Sequence, residues 1–252
     1  MGSFWLAFPM GVLIAAVVSA VGIGGGILWM PFLMLVLKME PDASVITSLI
    51  IQTAGMGSSS LAYARRALVD FKLTGILLAV TVPGIAIGAC MMRNIRPAHI
   101  ELALGLLTMM TAFLFVSSNQ KYDQRGHRHI TLRAARPYMG WISLMSVASG
   151  MLSVSIGEWL VPILRGKLAL RMRAAVATSI ATIFGTCILG AAFHYVLGST
   201  PHWSTVAWAV PGVLIGGQIG PRLAERINER MLKEVFIFLL TLIGIHLIYN
   251  AF

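Results

Sequence analysis

Gly22-Ile23-Gly24-Gly25-Gly26, followed by Pro31, interrupts an apolar run that extends from about Ser3 to about Leu37. Near-adjacent glycines free the backbone to leave helical geometry. In lipid, backbone that leaves the helix finds no water for its amides. Such a break is tolerated only where protein or a watery cavity supplies partners. A helix restarting near Ile27 would aim its N–H groups and the positive end of its dipole back at the glycines, which can hold an anion without burying a cation. The plainer reading is that these glycines let two helices pack closely. The rest of the chain decides between them.

Hydrophobic residues make up 58% of the sequence and charged residues 11%, with a mean hydropathy of +0.84. Soluble domains carry about 25% charged residues. The expected fold is therefore an all-α polytopic membrane protein, with the lipid bilayer as its surroundings. The net charge of +10 is explained by loops on the cytoplasmic side, and no nucleic-acid partner is expected. Met1-Gly2-Ser3 lacks a basic leader region, so no cleaved signal peptide is expected. Cys90 and Cys187 lie in apolar segments without metal-ligand spacing and read as small core residues. His194 and His246 read as packed or interfacial. No Ser/His/Asp set, phosphate loop or metal cluster can be assembled, so neither an enzyme nor a cofactor or metal site is expected.

Eight apolar segments can be read, at about 3–37, 41–64, 73–92, 98–117, 138–168, 174–197, 203–221 and 232–250. The first is broken at the glycines and the fifth near Gly157. The polar, basic stretch 118–136 separates two transmembrane repeats, 1–117 and 137–252. At a constant offset of 131, Gly26, Pro31, Leu33, Leu37, Ala43, Val45, Thr47 and Ser48 match Gly157, Pro162, Leu164, Leu168, Ala174, Val176, Thr178 and Ser179. After a gap of about one helical turn, Val82-Pro83-Gly84 matches Val210-Pro211-Gly212. Internal duplication with interrupted segments at corresponding positions points to a transporter.

Loop charge orients the repeats. If all eight segments cross, the 19 Lys and Arg divide 8 to 11 between the sides. If the first and fifth are re-entrant hairpins, 16 fall on one side and only Lys38, Arg93 and Arg96 on the other. The positive-inside rule selects the second arrangement. Each repeat then has one re-entrant hairpin and three spans, and the two repeats are inverted. The protein is expected in the bacterial inner membrane with the linker cytoplasmic and the C-terminus periplasmic. Ser3 to Val21 is nearly long enough to span, so a tilt or kink is expected, with Pro9 the candidate.

Of nine carboxylates, Glu158 is the one placed at membrane depth, at the second break in Ser153-Val154-Ser155-Ile156-Gly157-Glu158-Trp159. An ionisable group at that depth is costly and is a functional candidate for proton coupling or gating. The alternative is a carboxylate capping the restarted helix. Thr47-Ser48 and Thr178-Ser179 sit early in the span after each hairpin. Their hydroxyls could bond an oxyanion, or bond back to a helix carbonyl. Gln52, Ser58, Ser59 and Ser60 could line the same cavity.

Together, the glycine stretch with Pro31, the Thr47-Ser48 pair, and their repeat at Pro162 and Thr178-Ser179 resemble the TauE/SafE sulfite exporter family, from about Val12 to Tyr249. The resemblance implies transport of sulfite, organosulfonates or related small organic anions. It places Gly24, Gly25, Gly26, Thr47, Ser48, Thr178 and Ser179 at the family's repeated motif. The second motif departs from it, with Ser155-Ile156-Gly157-Glu158 where three glycines are often found. The expected function is secondary transport of a small anion by alternating access. The expected substrate-binding groups are Gly22, Gly24, Gly25, Gly26, Thr47, Ser48, Gln52, Ser155, Gly157, Thr178 and Ser179. A non-transporting membrane scaffold or assembly factor and an anion channel stay open as alternatives, as does a homo-oligomeric state.

Overall fold

The computed structural model describes residues 3–117, 132–224 and 229–250. Among them the secondary structure is helical, without an extended strand. A 3₁₀ turn, Ser3–Leu6, leads into α1, Ala7–Val21. Pro9 lies in the first turn of α1, where its missing N–H removes no helical bond, so the expected kink is replaced by the 3₁₀-to-α junction. The chain leaves helical geometry after Val21 and restarts as α2, Gly26–Pro31, continuing as a π-helical turn, Phe32–Val36. Three long helices follow: α3, Pro41–Arg65; α4, Phe71–Met92; and α5, Pro97–Ser117.

The second half repeats this order. It comprises α6, Leu132–Leu152; α7, Gly157–Pro162, with a π-helical turn Ile163–Lys167; α8, Met172–Val196; α9, Trp203–Leu223; and α10, Glu229–Asn250. The helix α6 begins inside the polar stretch 118–136, whose other residues fall outside the described ones apart from those on this helix. Among the described residues, four stretches have the length and hydropathy of a membrane span: Phe4–Val21, Pro41–Arg65, Phe71–Met92 and Met172–Val196.

The duplication extends to the backbone. Six residues have positive φ: Gly22, Lys38, Ala67, Ser153, Ala169 and Gly198. They form three pairs at the same offset of 131 as the sequence matches. Pro31 and Pro162, each inside a helix, lack the N–H that would bond the carbonyl four residues back. In both halves the next turn widens, with Leu37 N–H donating to the Phe32 carbonyl at 3.1 Å and Leu168 N–H to the Ile163 carbonyl at 3.1 Å. The duplicated proline thus accounts for the duplicated π-helical turn.

Packing between the halves is reciprocal. Helix α1 lies along α9 and α6 lies along α4; α3 packs on α8 and α9, and α4 also packs on α8. Helices α5 and α10 pair with each other. The glycines of α9 set a parallel register with α1: a Cβ on Gly212 would strike the Phe8 carbonyl, one on Gly216 the Val12 carbonyl, and one on Gly220 Ser19. Gly84, Gly88 and Gly150 give α4 and α6 the same close approach. His194 on α8 reaches the Gly150 carbonyl at 2.7 Å, so it has a partner and ties α8 to α6. Cys187 is buried as expected, whereas Cys90 is exposed on α4; an apolar segment facing lipid reads the same in sequence as one facing the core.

The bundle has two distinct ends. At one, the start of α3, the end of α8 and the start of α9 meet: Ser199 Oγ donates to Asp42 Oδ1 at 2.7 Å, and Phe4 packs its ring on His202 at 4.7 Å. Lys38, Arg93 and Arg96 belong to this Asp42 end. At the other, the Asp70 end, Tyr63 Oη donates to the Ser19 carbonyl at 2.9 Å and Arg66 to the Pro221 carbonyl at 3.3 Å. Arg65, Lys72, Arg165, Lys167, Arg171, Arg173 and Arg222 stand with Arg66 there, at the ends of the helices that meet at this face.

Candidate functional site

The two breaks in the helices meet. A Cβ on Gly24 would overlap the Ser155 side chain, one on Gly26 the Ser153 carbonyl, and one on Gly157 would lie 2.9 Å from the Gly22 carbonyl. The contact lies near the middle of the bundle, level with Gln52 on α3 and Ile183 on α8. Each of these is the twelfth residue of a 25-residue helix.

Gln52 joins the pieces and is only 1% exposed. Its Oε1 accepts from the Gly26 N–H at 2.8 Å. Its Nε2 donates to Ser48 Oγ at 3.0 Å, Ser153 Oγ at 2.9 Å and the Ser153 carbonyl at 3.2 Å. Ser153 Oγ in turn donates to Ser48 Oγ at 3.0 Å. In the other half, Ser179 Oγ donates to the Gly22 carbonyl at 2.9 Å. Ser48 and Ser179 are repeat equivalents, as are Ser153 and Gly22, so each serine of the duplicated pair holds the break of the opposite half.

At the second break Ser155 Oγ accepts from the Gly157 N–H at 3.1 Å and donates to Glu158 Oε2 at 2.8 Å. Oε2 thus meets the start of α7 through the Ser155 hydroxyl, and Ile156, the N-cap of α7, makes no side-chain cap bond. The contact uses one carboxyl oxygen. Glu158 is 0% exposed, and its Oε1 has no hydrogen-bond partner; nor does the buried Trp159 Nε1.

Most of the expected site residues therefore come together: Gly22, Gly24, Gly25, Gly26, Ser48, Gln52, Ser155, Gly157, Glu158 and Ser179. Gly25 ends the first break as the residue before α2, its carbonyl accepting from the Leu28 and Trp29 N–H groups. Thr47 and Thr178 turn elsewhere. Thr47 Oγ1 accepts from the His202 N–H at 2.9 Å, and Thr178 Oγ1 from the Asp70 N–H at 3.1 Å. His202 and Asp70 are the caps that begin α9 and α4, so the duplicated threonines anchor equivalent helix starts at opposite ends. Ser58 and Ser59 bond α9 and α1, through the Leu214 carbonyl and Ser19 Oγ, toward the Asp70 end. A sequence reading centred on glycines passes over Ser153; its offset from Gly22 was the signal that identifies it.

The glycine amides do not all face open space. Gly26 N–H is taken by Gln52, and the breaks close on each other. A cavity of about 230 Å³ lies instead at the Asp42 end, lined by Asp42, Arg93, Leu197, Gly198 and Ser199 among others. No group of three or more potential metal ligands occurs among the described residues.

Long apolar helices packed around two interrupted segments define a polytopic helical membrane protein. Residues 7–247 match the sulfite exporter TauE/SafE family, and the chain belongs to that family. It is 25% identical to the "Probable membrane transporter protein YunE" of Bacillus subtilis strain 168, over 99% of this chain and 98% of the relative. A "Probable membrane transporter protein" of Xylella fastidiosa strain Temecula1 is 23% identical over 96% of this chain and 93% of its own. A second Bacillus subtilis protein, "Probable membrane transporter protein YjnA", is 22% identical over 90% and 94%. No solved structure matches the chain.

Proposed function

We propose that this chain is a secondary transporter of a small anion, a sulfur oxyanion or organosulfonate, working by alternating access between two inverted-topology repeats. The observation that carries the reading is the meeting of two interrupted helices half-way along α3 and α8, with Ser48, Gln52, Ser153, Ser155 and Glu158 buried around them. Backbone outside helical geometry at such depth is the arrangement by which transporters bind solutes. The family and the relatives' names support the class. The family's own description supports the anion.

The topology follows from the two ends of the bundle. Helix α1 starts at the Asp42 end and α2 returns there before α3 begins. The second interrupted segment leaves from and returns to the Asp70 end. Each is thus a re-entrant hairpin, dipping from opposite faces. The larger set of cations lies at the Asp70 end, which is then cytoplasmic. The C-terminus and the cavity beside Arg93 are periplasmic. In the conformation described, the breaks are closed on each other, and access to the anion requires the halves to part. Glu158, with one oxygen unpartnered, is the acid through which a proton would be coupled.

The reading is tested by reconstituting the protein in proteoliposomes and measuring uptake of radiolabelled sulfite, a small alkyl sulfonate, sulfate and a carboxylate. Saturable uptake of sulfite or the sulfonate, accelerated by counter-anion inside, is expected. A folded protein that moves none of these anions is a scaffold. Non-saturating, purely conductive flux identifies a channel.

A further inference from the structure

Gln52 bridges the first break and Ser153 of the second. A Cβ on Gly24 would lie 3.3 Å from its Oε1, one on Gly25 3.5 Å from its Cγ, and one on Gly26 3.0 Å from its Nε2. All three glycines thus border this side chain, although their nearest neighbours are Ser155, Trp29 and Ser153. Its bonds divide into two kinds. Those to the Gly26 N–H and Ser48 Oγ stay within the first half. Those to Ser153 Oγ and the Ser153 carbonyl cross to the second.

Ser153 is also strained. It holds φ of +57°, a left-handed conformation that a residue with a Cβ adopts at a cost and keeps only when its surroundings impose it. Gly22, its repeat equivalent, has φ of +85° without that cost. Ser153 directly follows the last turn of α6, as Gly22 follows α1, and in that position Gln52 clasps its hydroxyl and carbonyl. The second half has no counterpart of this clasp, because the residue at the repeat position of Gln52 is Ile183, whose side chain cannot donate.

We infer that Gln52 and Ser153 form a one-sided latch between the two halves, and that its release is the step that opens the site. The inference rests on the transporter reading and assigns that site its gate. When the latch releases, Gln52 stays with Gly26 and α3, while Ser153 leaves with the second half. An oxyanion entering beside Gln52 offers Nε2 an acceptor that bonds more strongly than the Ser153 carbonyl, so the class of ligand expected at the site is the one able to release it.

Hydrogen exchange on the full-length protein in detergent, without any anion, tests the latch independently of transport. Gln52→Met removes every bond of Gln52 and leaves Ser153 Oγ on Ser48 Oγ, and Ser153→Ala removes only the hydroxyl bonds should the first variant fold poorly. Each lost hydrogen bond should speed exchange about five- to tenfold at the breaks, residues 24–27 and 153–157. Exchange at the starts of α4 and α9 should stay as in the wild type. Uniform acceleration, or none, overturns the latch. In proteoliposomes loaded with sulfite, Ser153→Ala, which keeps Gln52 Nε2 for the anion, should raise the maximal exchange rate; a folded variant with a lower maximal rate overturns the gate. If the wild type itself moves no sulfite, the transport reading fails while the exchange data still judge the latch.

Discussion

Gly24, Gly25 and Gly26 are adjacent in sequence and unlike in surroundings, so the same added methyl should have three different effects. At Gly26 it meets the Ser153 carbonyl, which is backbone and cannot turn aside; at Gly24 it meets the Ser155 side chain; at Gly25 the nearest atom is Trp29 Cδ1 at 3.0 Å. Gly26→Ala should therefore destabilise most, by about 2–3 kcal/mol, Gly24→Ala less, and Gly25→Ala by under about 1 kcal/mol. Thermal unfolding in detergent ranks them, and equal losses would mean that the breaks are not in contact. Glu158 is a different residue-scale case. Its Oε2 accepts from Ser155 Oγ while Oε1 is unpartnered, so a bond to Ser155 and a proton site are compatible in one side chain. Ionised, it would repel an anion; protonated, it could donate a hydrogen bond to one. Affinity should therefore fall as pH rises through its titration. Glu158→Gln imitates the protonated form and should keep binding, flatten the pH profile and abolish pH-gradient-driven flux while allowing anion exchange. A Gln variant with wild-type gradient-driven flux leaves Glu158 as a partner of Ser155 alone. The polar residues of this centre were legible in the sequence, because glycine, proline and a carboxylate are conspicuous in an apolar run. Their partners were not: a serine at membrane depth looks the same whether it faces an anion, a glutamine or its own helix.

At the scale of elements, duplication made most of the architecture readable. Both breaks, the long helices and the matching prolines follow from the offset of 131, and the shared positive-φ positions show that it governs backbone as well as side chains. What the offset does not carry is orientation around a helix axis. Thr47 and Ser48 are neighbours on α3, about 100° apart on the helix, and they do different work: Ser48 faces the break, Thr47 the start of α9. The same division holds for Ser179 and Thr178. Both threonines are thus expected to be structural anchors for opposite halves. Thr47→Val and Thr178→Val each keep the shape and remove the acceptor, leaving a backbone N–H without it, at a cost of about 1–2 kcal/mol. Thr→Ser at either position keeps the oxygen and should restore most of the loss. Thermal unfolding and limited proteolysis of the loops before α4 and α9 check this. If Val variants unfold as wild type but lose anion binding, the threonines are ligands.

Across the whole molecule, the charge asymmetry and the hairpins must agree. The re-entrant reading puts the starts of α3 and α9 on one face and the starts of α4 and α8 on the other, which is how Asp42–Ser199 and Thr178–Asp70 pair in the structure. The same arrangement divides all 19 Lys and Arg as 16 and 3. In the proposed topology, helix packing groups the helix ends and loop charge chooses which group is cytoplasmic. That topology can be tested by labelling single cysteines with a membrane-impermeant thiol reagent, in a background lacking Cys90 and Cys187. Positions must be exposed and free of structural contacts. Ser199 is a poor choice, being 6% exposed and bonded to Asp42. Thr200 is exposed beside it at the Asp42 end. Gly166 is exposed at the opposite end, and a Cβ there meets nothing within 4 Å. Thr200→Cys should label in intact cells, whereas Gly166→Cys should label only after the membrane is opened. If all interrupted segments instead crossed the bilayer, the start of α3 and the end of α8 would not both face outward with Thr200. Labelling of Gly166→Cys from outside, with Thr200→Cys protected, would reverse the orientation; labelling of both from outside would remove the re-entrant hairpins and the inverted repeats with them.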